Sequence, residues 1–311
     1  MDSQVVTLGE CMSLIFPQEP VTLDKASLLC LDLAGAESNF AIALSRLGHT
    51  VRFISRVGAD PLGQRIRTTL TNEHVILDSL MIDSVAPTGI FFRECLPDGQ
   101  RRVYYYRNNS AASRLGPNDL QSEWFTKTKF LHLTGITAAL SDSCFEACLK
   151  AIELAKAQNA LISFDPNFRP KLWNEETARP KLLEICCKSD LLLMSLDDAN
   201  VMFGYLDERS LILKAVDFGP KVIVLKKSEQ GALAFTNNSF VTVPAFPINQ
   251  VLDPVGAGDG FNAGFISGLL RGWELPESLR LGAHIGALAV TVMGDYGGYP
   301  YESQIINYPY H

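Results

Sequence analysis

The stretch Asp253-Pro254-Val255-Gly256-Ala257-Gly258-Asp259-Gly260-Phe261 sets a carboxylate beside a glycine-rich turn, and a helical pattern follows it. A Gly-Ala-Gly backbone can turn several N–H groups toward one point, and the start of a helix adds positive potential there. That combination suits an anion, a phosphate above all. A carboxylate in that position repels phosphate unless it has a task. The task that fits Asp259 is taking a proton from a hydroxyl that attacks the phosphate. Many glycine-rich turns before helices are only tight corners; the carboxylate and the full helix behind it separate this one from that simpler case.

Two arginines sit in other suggestive surroundings. Tyr104-Tyr105-Tyr106-Arg107 supplies aromatic faces and phenol hydroxyls beside a cation. Arg169 follows a strand pattern in Phe164-Asp165-Pro166-Asn167-Phe168-Arg169. Ligands of open parallel sheets sit at the carboxyl ends of strands, so Arg169 is well placed for one. A guanidinium offers a planar fork that matches a carboxylate or a phosphate. Three consecutive tyrosines in a strand cannot all face one ligand.

The elements that must hold these residues alternate along the chain. Apolar runs at Val5–Leu8, Val51–Ser55, Phe130–Leu133, Leu161–Phe164, Leu191–Met194 and Val222–Leu225 read as strands buried on both faces of a parallel sheet. Helical patterns fall at Ser38–Leu47, Pro61–Asn72, Asp142–Gln158, Glu175–Lys188, Asp197–Phe203, Asp259–Arg271 and Pro276–Met293. Alternation of this kind predicts an α/β fold, a doubly wound, mostly parallel sheet with helices on both faces. Two further regions, Leu14–Phe16 with Leu28–Leu33 and Thr88–Glu94 with Gln100–Arg107, read as extended and form a small separate sheet. Leu96-Pro97-Asp98-Gly99 and Thr236-Asn237-Asn238-Ser239 carry hairpin-turn signals.

Asp253 to Ile266 resembles the C-terminal signature of the ribokinase-like (PfkB) sugar kinases. Ala34-Gly35-Ala36-Glu37-Ser38-Asn39-Phe40-Ala41, followed by Gly48 and Gly58, resembles the family's other signature. The similarity runs from about Val5 to Pro300. It implies a single kinase domain over residues 1–311, with the small sheet (about 12–33 and 88–107) as a lid that often joins two copies. The segments around Tyr105, Arg169 and Gly294–Pro300 are similar to the 2-keto-3-deoxygluconate (KDG) kinase branch. That likeness implies sugar contacts at Gly35, Asn39, Phe91, Tyr105, Arg107, Asn167, Arg169 and Asp295, with Asp259 as base and Gly256, Ala257 and Gly258 as the anion hole. Phe91 stands where KDG kinases often carry tyrosine.

The resemblance also implies ATP and Mg2+, with a monovalent cation as a further possibility. The family usually has Asn-x-x-Glu after a strand, tied to magnesium and phosphate; here Ser195-Leu196-Asp197-Asp198 stands in its place, with Asp198 keeping the charge on a shorter arm. Lys226, Ser228 and Gly231 match the nucleotide loop, and His284 falls on the helix that lines the family's adenine pocket. The expected partners are a sugar acid, ATP and a second copy of the chain. Rival readings are a kinase for fructose, ribose or 5-dehydro-2-deoxygluconate, and a non-catalytic protein that kept the fold.

Composition sets limits. With 311 residues, 47% of them hydrophobic, the chain can bury a large core. A formal net charge of -7 argues against general nucleic-acid binding. No Walker A pattern and no early G-x-G-x-x-G occur, which makes P-loop kinases poor rivals and a nicotinamide dehydrogenase a poor fit. Seven cysteines without a C-x-x-C pair read as reduced thiols. The five histidines show no metal-ligand spacing. With no basic, apolar leader and no membrane-length run, a cytoplasmic location is expected.

Overall fold

The apolar runs read as strands pair into one large sheet. In the computed structural model, which describes residues 2–96 and 100–305, thirteen strands are found. They are β1 (Val5–Leu8), β2 (Met12–Pro17), β3 (Leu29–Ala34), β4 (Val51–Gly58), β5 (Leu80–Asp83), β6 (Ile90–Cys95), β7 (Arg101–Tyr106), β8 (Phe130–Thr134), β9 (Leu161–Asp165), β10 (Leu191–Ser195), β11 (Val222–Lys226), β12 (Ala232–Thr236) and β13 (Ser239–Val243). Nine form the main sheet in the order β13-β12-β11-β10-β9-β8-β1-β4-β5. Every neighbouring pair from β11 to β5 is parallel, and β12 and β13 add an antiparallel edge. The predicted doubly wound α/β fold is the one observed.

Successive strand residues point to opposite faces, so one strand feeds two cores. In β10, Leu192 and Met194 join the cluster under the helices Asp142–Lys156, Glu175–Cys186, Leu196–Phe203 and Glu208–Val216. Leu191 and Leu193 join the opposite cluster, under Ala36–Arg46, Pro61–Asn72, Ala257–Leu270 and Leu275–Ala289. The last two helices approach closely: a Cβ at Gly264 would sit 2.8 Å from the carbonyl oxygen of Leu281. This packing holds the Ala257–Leu270 helix against its neighbour.

Helix ends differ from the sequence reading by a few residues. The helix predicted from Asp259 starts at Ala257, because Gly256 takes a left-handed conformation (φ 80°) and caps it. The one predicted to Met293 stops at Ala289. Glu208–Val216 was not foreseen, although Asp207 caps it by accepting from the Ser210 N–H at 3.1 Å. His132 stacks on Phe40 at 4.0 Å and bonds the Ser163 hydroxyl at 3.1 Å. Cys144 and Cys148 are core residues.

The remaining four strands form the small sheet, β3-β2-β6-β7, from the two regions read as extended. The pairing of β6 with β7 is antiparallel, as a hairpin requires; Pro97-Asp98-Gly99 of its turn lie outside the described residues. One face of this sheet carries Met12, Leu14, Ala34 and Phe91 in a buried cluster. The other carries Leu29, Leu31, Tyr104 and Tyr106, all exposed. No described helix is long and apolar enough to cross a membrane.

Candidate active site

The parallel strands β1, β9, β10 and β11 all end on the same side of the main sheet. Their carboxyl ends, the start of the Ala257–Leu270 helix and the inner lid face enclose a cleft of about 910 Å³. Every residue predicted for the site lines this cleft except His284. His284 stands behind the wall: its ring stacks on Phe246 at 3.9 Å, and Phe246 lines the cleft.

Asp259 lies in the first turn of its helix and is nearly buried. Burial pushes its carboxyl up to about 6. A hydrogen bond from Asn39 opposes this, Asp165 adds repulsion, and the charges of Arg169 and Lys226 pull the value back down. The Asn39 Nδ2 donates to Asp259 Oδ2 at 2.9 Å, while the buried Asn39 Oδ1 has no hydrogen-bond partner among the described residues. Gly256 and Gly258 have opposite surroundings. A Cβ on Gly256 would lie 2.0 Å from the carbonyl oxygen of Asp295, whereas one on Gly258 would meet only Lys226 Nζ, at 3.8 Å. Gly256 is thus packed from behind, and Gly258 faces open space.

Lys226 ends β11 and belongs to a polar knot that the sequence reading did not assemble. Its Nζ donates to Asp165 Oδ2 at 2.6 Å and to Asn262 Oδ1 at 3.2 Å, and Asn262 Nδ2 donates to the same Asp165 oxygen at 2.6 Å. Asn262 follows Asp259 by three positions, which sets both on one side of a helix. Asp198 lies nearby and is occupied structurally. Its Oδ2 accepts from the Ser195 N–H at 2.9 Å and hydroxyl at 2.6 Å, and its Oδ1 from the Phe168 N–H at 2.7 Å. The pair is a capping box for Leu196–Phe203. Burial, then repulsion from Asp165, pushes the Asp198 carboxyl up. Among the described residues no three His, Cys, Asp or Glu side chains gather into a metal-binding group.

The two predicted arginines turn out unlike each other. Arg107 is buried and paired with Glu10, Nη2 to Oε2 at 2.5 Å. The other Glu10 oxygen accepts from the Ser110 hydroxyl at 2.5 Å. Arg169 is exposed, makes one long contact to its neighbour's carbonyl at 3.5 Å, and has no ion pair among the described residues. Of the three tyrosines only Tyr105 lines the cleft. Asp295 is held by Arg93, Nη1 to Oδ1 at 2.8 Å, and burial pushes its carboxyl up to about 7. Glu10 and Arg93 escaped the sequence reading. Both had a signal: Glu10 follows the end of β1, and Arg93 shares the strand face of Phe91.

Known proteins resemble this chain along nearly its whole length. Residues 2–301 match the family described as pfkB family carbohydrate kinase. A 2-dehydro-3-deoxygluconokinase of Bacillus subtilis is 31% identical over 310 residues, covering 99% of this chain and 96% of its own. One from Thermoproteus tenax is 34% identical over 300 residues, covering 95% and 91%. The crystal structure of a putative ribokinase II from E. coli in complex with ATP and Mg2+ superposes with a TM-score of 0.91 at 25% identity, over 98% of each chain. The chain belongs to the pfkB family of carbohydrate kinases and is a phosphotransferase that acts on a sugar hydroxyl.

Proposed function

We propose that the enzyme transfers phosphate from ATP to a sugar acid, KDG, giving its 6-phosphate. One observation carries the substrate class: Arg169 lines the cleft that holds Asp259 and has no ion pair among the described residues. Such a guanidinium in a chain of net charge -7 fits a carboxylate ligand. Tyr105, Asn167 and the inner face of Phe91 would contact the sugar, and the unused Asn39 Oδ1 would accept from one of its hydroxyls.

ATP and Mg2+ fit the residues present. The open face of Gly258 beside Lys226 leaves room for a phosphate close to the backbone. The cleft runs on past Ser228 and Gly231 to Phe246, with His284 supporting Phe246 from behind as an adenine site would need. Magnesium takes one or two carboxylates and leaves its other positions to phosphates and water. Asp198 Oδ1, which accepts one hydrogen bond and keeps a lone pair, would hold the ion with Asp165 beside it, and the ion would neutralise charge on the phosphates.

Chemistry then falls to this chain's own groups. Asp259 accepts the proton of the attacking hydroxyl. The N–H groups at Gly256, Ala257 and Gly258 stabilise charge on the transferred phosphoryl group, and Lys226 adds a fixed cation. The lid excludes water, the competing acceptor. Residues 1–311 would act as one kinase domain with the lid inserted, and the exposed face of Leu29, Leu31, Tyr104 and Tyr106 would meet a second copy. Mass measurement in solution of wild type and Tyr106→Lys tests the dimer. Incubation with KDG and ATP, with the product read by phosphorus NMR, tests the reaction: a 6-phosphate ester supports it, and an unreacted acid opposes it.

A further inference from the structure

Arg93 sits on lid strand β6, yet its ion-pair partners both lie off the lid. Nη2 is 2.9 Å from Asp253 Oδ2 and Nη1 is 2.8 Å from Asp295 Oδ1. All three side chains are almost wholly buried. Both acids adjoin the glycine-rich turn. Asp253 opens the glycine-rich turn, and its Oδ1 accepts from the Val255 N–H at 3.2 Å. The carbonyl of Asp295 closes on Gly256, where a Cβ would be 2.0 Å away. The Gly294 N–H also donates to Asp253, at 3.3 Å, so the two acid-bearing segments are tied to each other. Arg101, on the neighbouring lid strand, adds a second grip: its Nη2 donates to the Leu252 carbonyl at 3.1 Å and its Nε lies 3.7 Å from Asp253 Oδ1.

Stability alone gives no reason for this arrangement, because apolar groups of similar volume often replace a buried ion-pair cluster without loss. What a guanidinium adds is a rigid fork that holds two carboxylates at once. We propose that Arg93 is a positioning residue that couples the lid to the cradle, so that sugar under the lid and nucleotide on the cradle each strengthen the other's binding. The proposal rests on the reading of Gly256–Asp259 as phosphate cradle and base. Coupling between two ligands is reciprocal, so one cycle measures it from both directions.

The experiment is calorimetric binding of ADP and of the best sugar from a substrate panel, each alone and in the presence of the other. Wild type, Arg93→Met and Arg93→Lys are compared. In wild type each ligand should tighten the other by about fivefold or more. In Arg93→Lys, which keeps the charge but reaches only one acid, each ligand alone should bind within about threefold of wild type while the mutual tightening falls by at least half on a logarithmic scale. Arg93→Met, if folded by circular dichroism, should show none; if it does not fold, Arg93→Lys decides. Full coupling in a folded Arg93→Lys, absence of coupling in wild type, or loss of single-ligand affinity with coupling intact would each overturn the proposal. Asp259→Asn is run beside them: near-normal turnover in it overturns the cradle reading itself, a failure distinct from any result at Arg93.

Discussion

Asn39 and Asp259, 220 residues apart in sequence, meet through a hydrogen bond of 2.9 Å from amide Nδ2 to carboxylate Oδ2. The bond joins the two signature segments at the carboxylate proposed as base. The buried Asn39 Oδ1 has no hydrogen-bond partner among the described residues. The amide therefore holds the Asp259 carboxylate on one side and has an acceptor to spare on the other.

Removing the proposed base should leave a binding protein. Asp259→Asn should retain ATP and sugar affinity and lose roughly 10²–10⁴ in kcat, the usual contribution of general base catalysis. Isothermal titration beside an ADP-release assay separates the two effects.

The same pair predicts a pH profile. As the proposed base, Asp259 would work only when ionised, and burial has raised its carboxyl to about 6, so kcat should fall as pH drops through that value. The Asn39 hydrogen bond lowers the carboxyl, so Asn39→Ala should shift the acid limb to higher pH. An unmoved limb in a folded variant would mean that another group titrates.

The two cradle glycines should respond differently to one methyl group. At Gly256 the left-handed φ and the Asp295 carbonyl both oppose a side chain, so Gly256→Ala should lower the melting temperature and activity together. At Gly258 the methyl enters open space, so Gly258→Ala should fold normally and raise KM for ATP. Equal melting temperatures for the two variants would contradict this division.

Glu37 should cost the fold stability as pH rises. Its carboxyl is fully buried, and burial lifts it from the ordinary 4.5 to about 7 despite hydrogen bonds from Thr134 and Thr137. The folded state holds this proton more tightly than the unfolded chain does. The cost is absent below 4.5 and complete above about 7. At about 1.4 kcal/mol per pKa unit it reaches a few kcal/mol at most. Relative to wild type, Glu37→Gln should therefore gain stability between those limits, measured by urea melts at several pH values.

Much of this site was legible because its residues fall in continuous motifs. Asp253–Asp259, Gly35–Asn39 and Asn167–Arg169 each sit at the end of a strand or the start of a helix, and local patterns place such ends well. What was not legible depends on pairing across the fold. Nothing near Arg107 in sequence announces that Glu10 claims its guanidinium, and nothing near Asp295 announces Arg93. Asp198 kept the charge of a metal ligand while serving as a helix cap, a role fixed by Ser195 three residues earlier. The unforeseen Glu208–Val216 helix is short and its pattern weak, so its cap was the clearer sign.

The most direct test of the sugar-acid account is the ratio of kcat/KM for KDG to that for fructose in wild type and Arg169→Ala, by ATP-dependent ADP release. A charge-assisted hydrogen bond contributes about 1.5–3 kcal/mol, or roughly tenfold to over a hundredfold. Wild type should favour the acid by at least that factor, and Arg169→Ala should lose it through KM for the acid while fructose is little changed. Arg107→Ala should harm both sugars alike, since it strands buried Glu10 without its partner. A wild-type enzyme that prefers fructose or ribose, or an Arg169→Ala variant that loses acid and neutral sugar equally, would contradict the account.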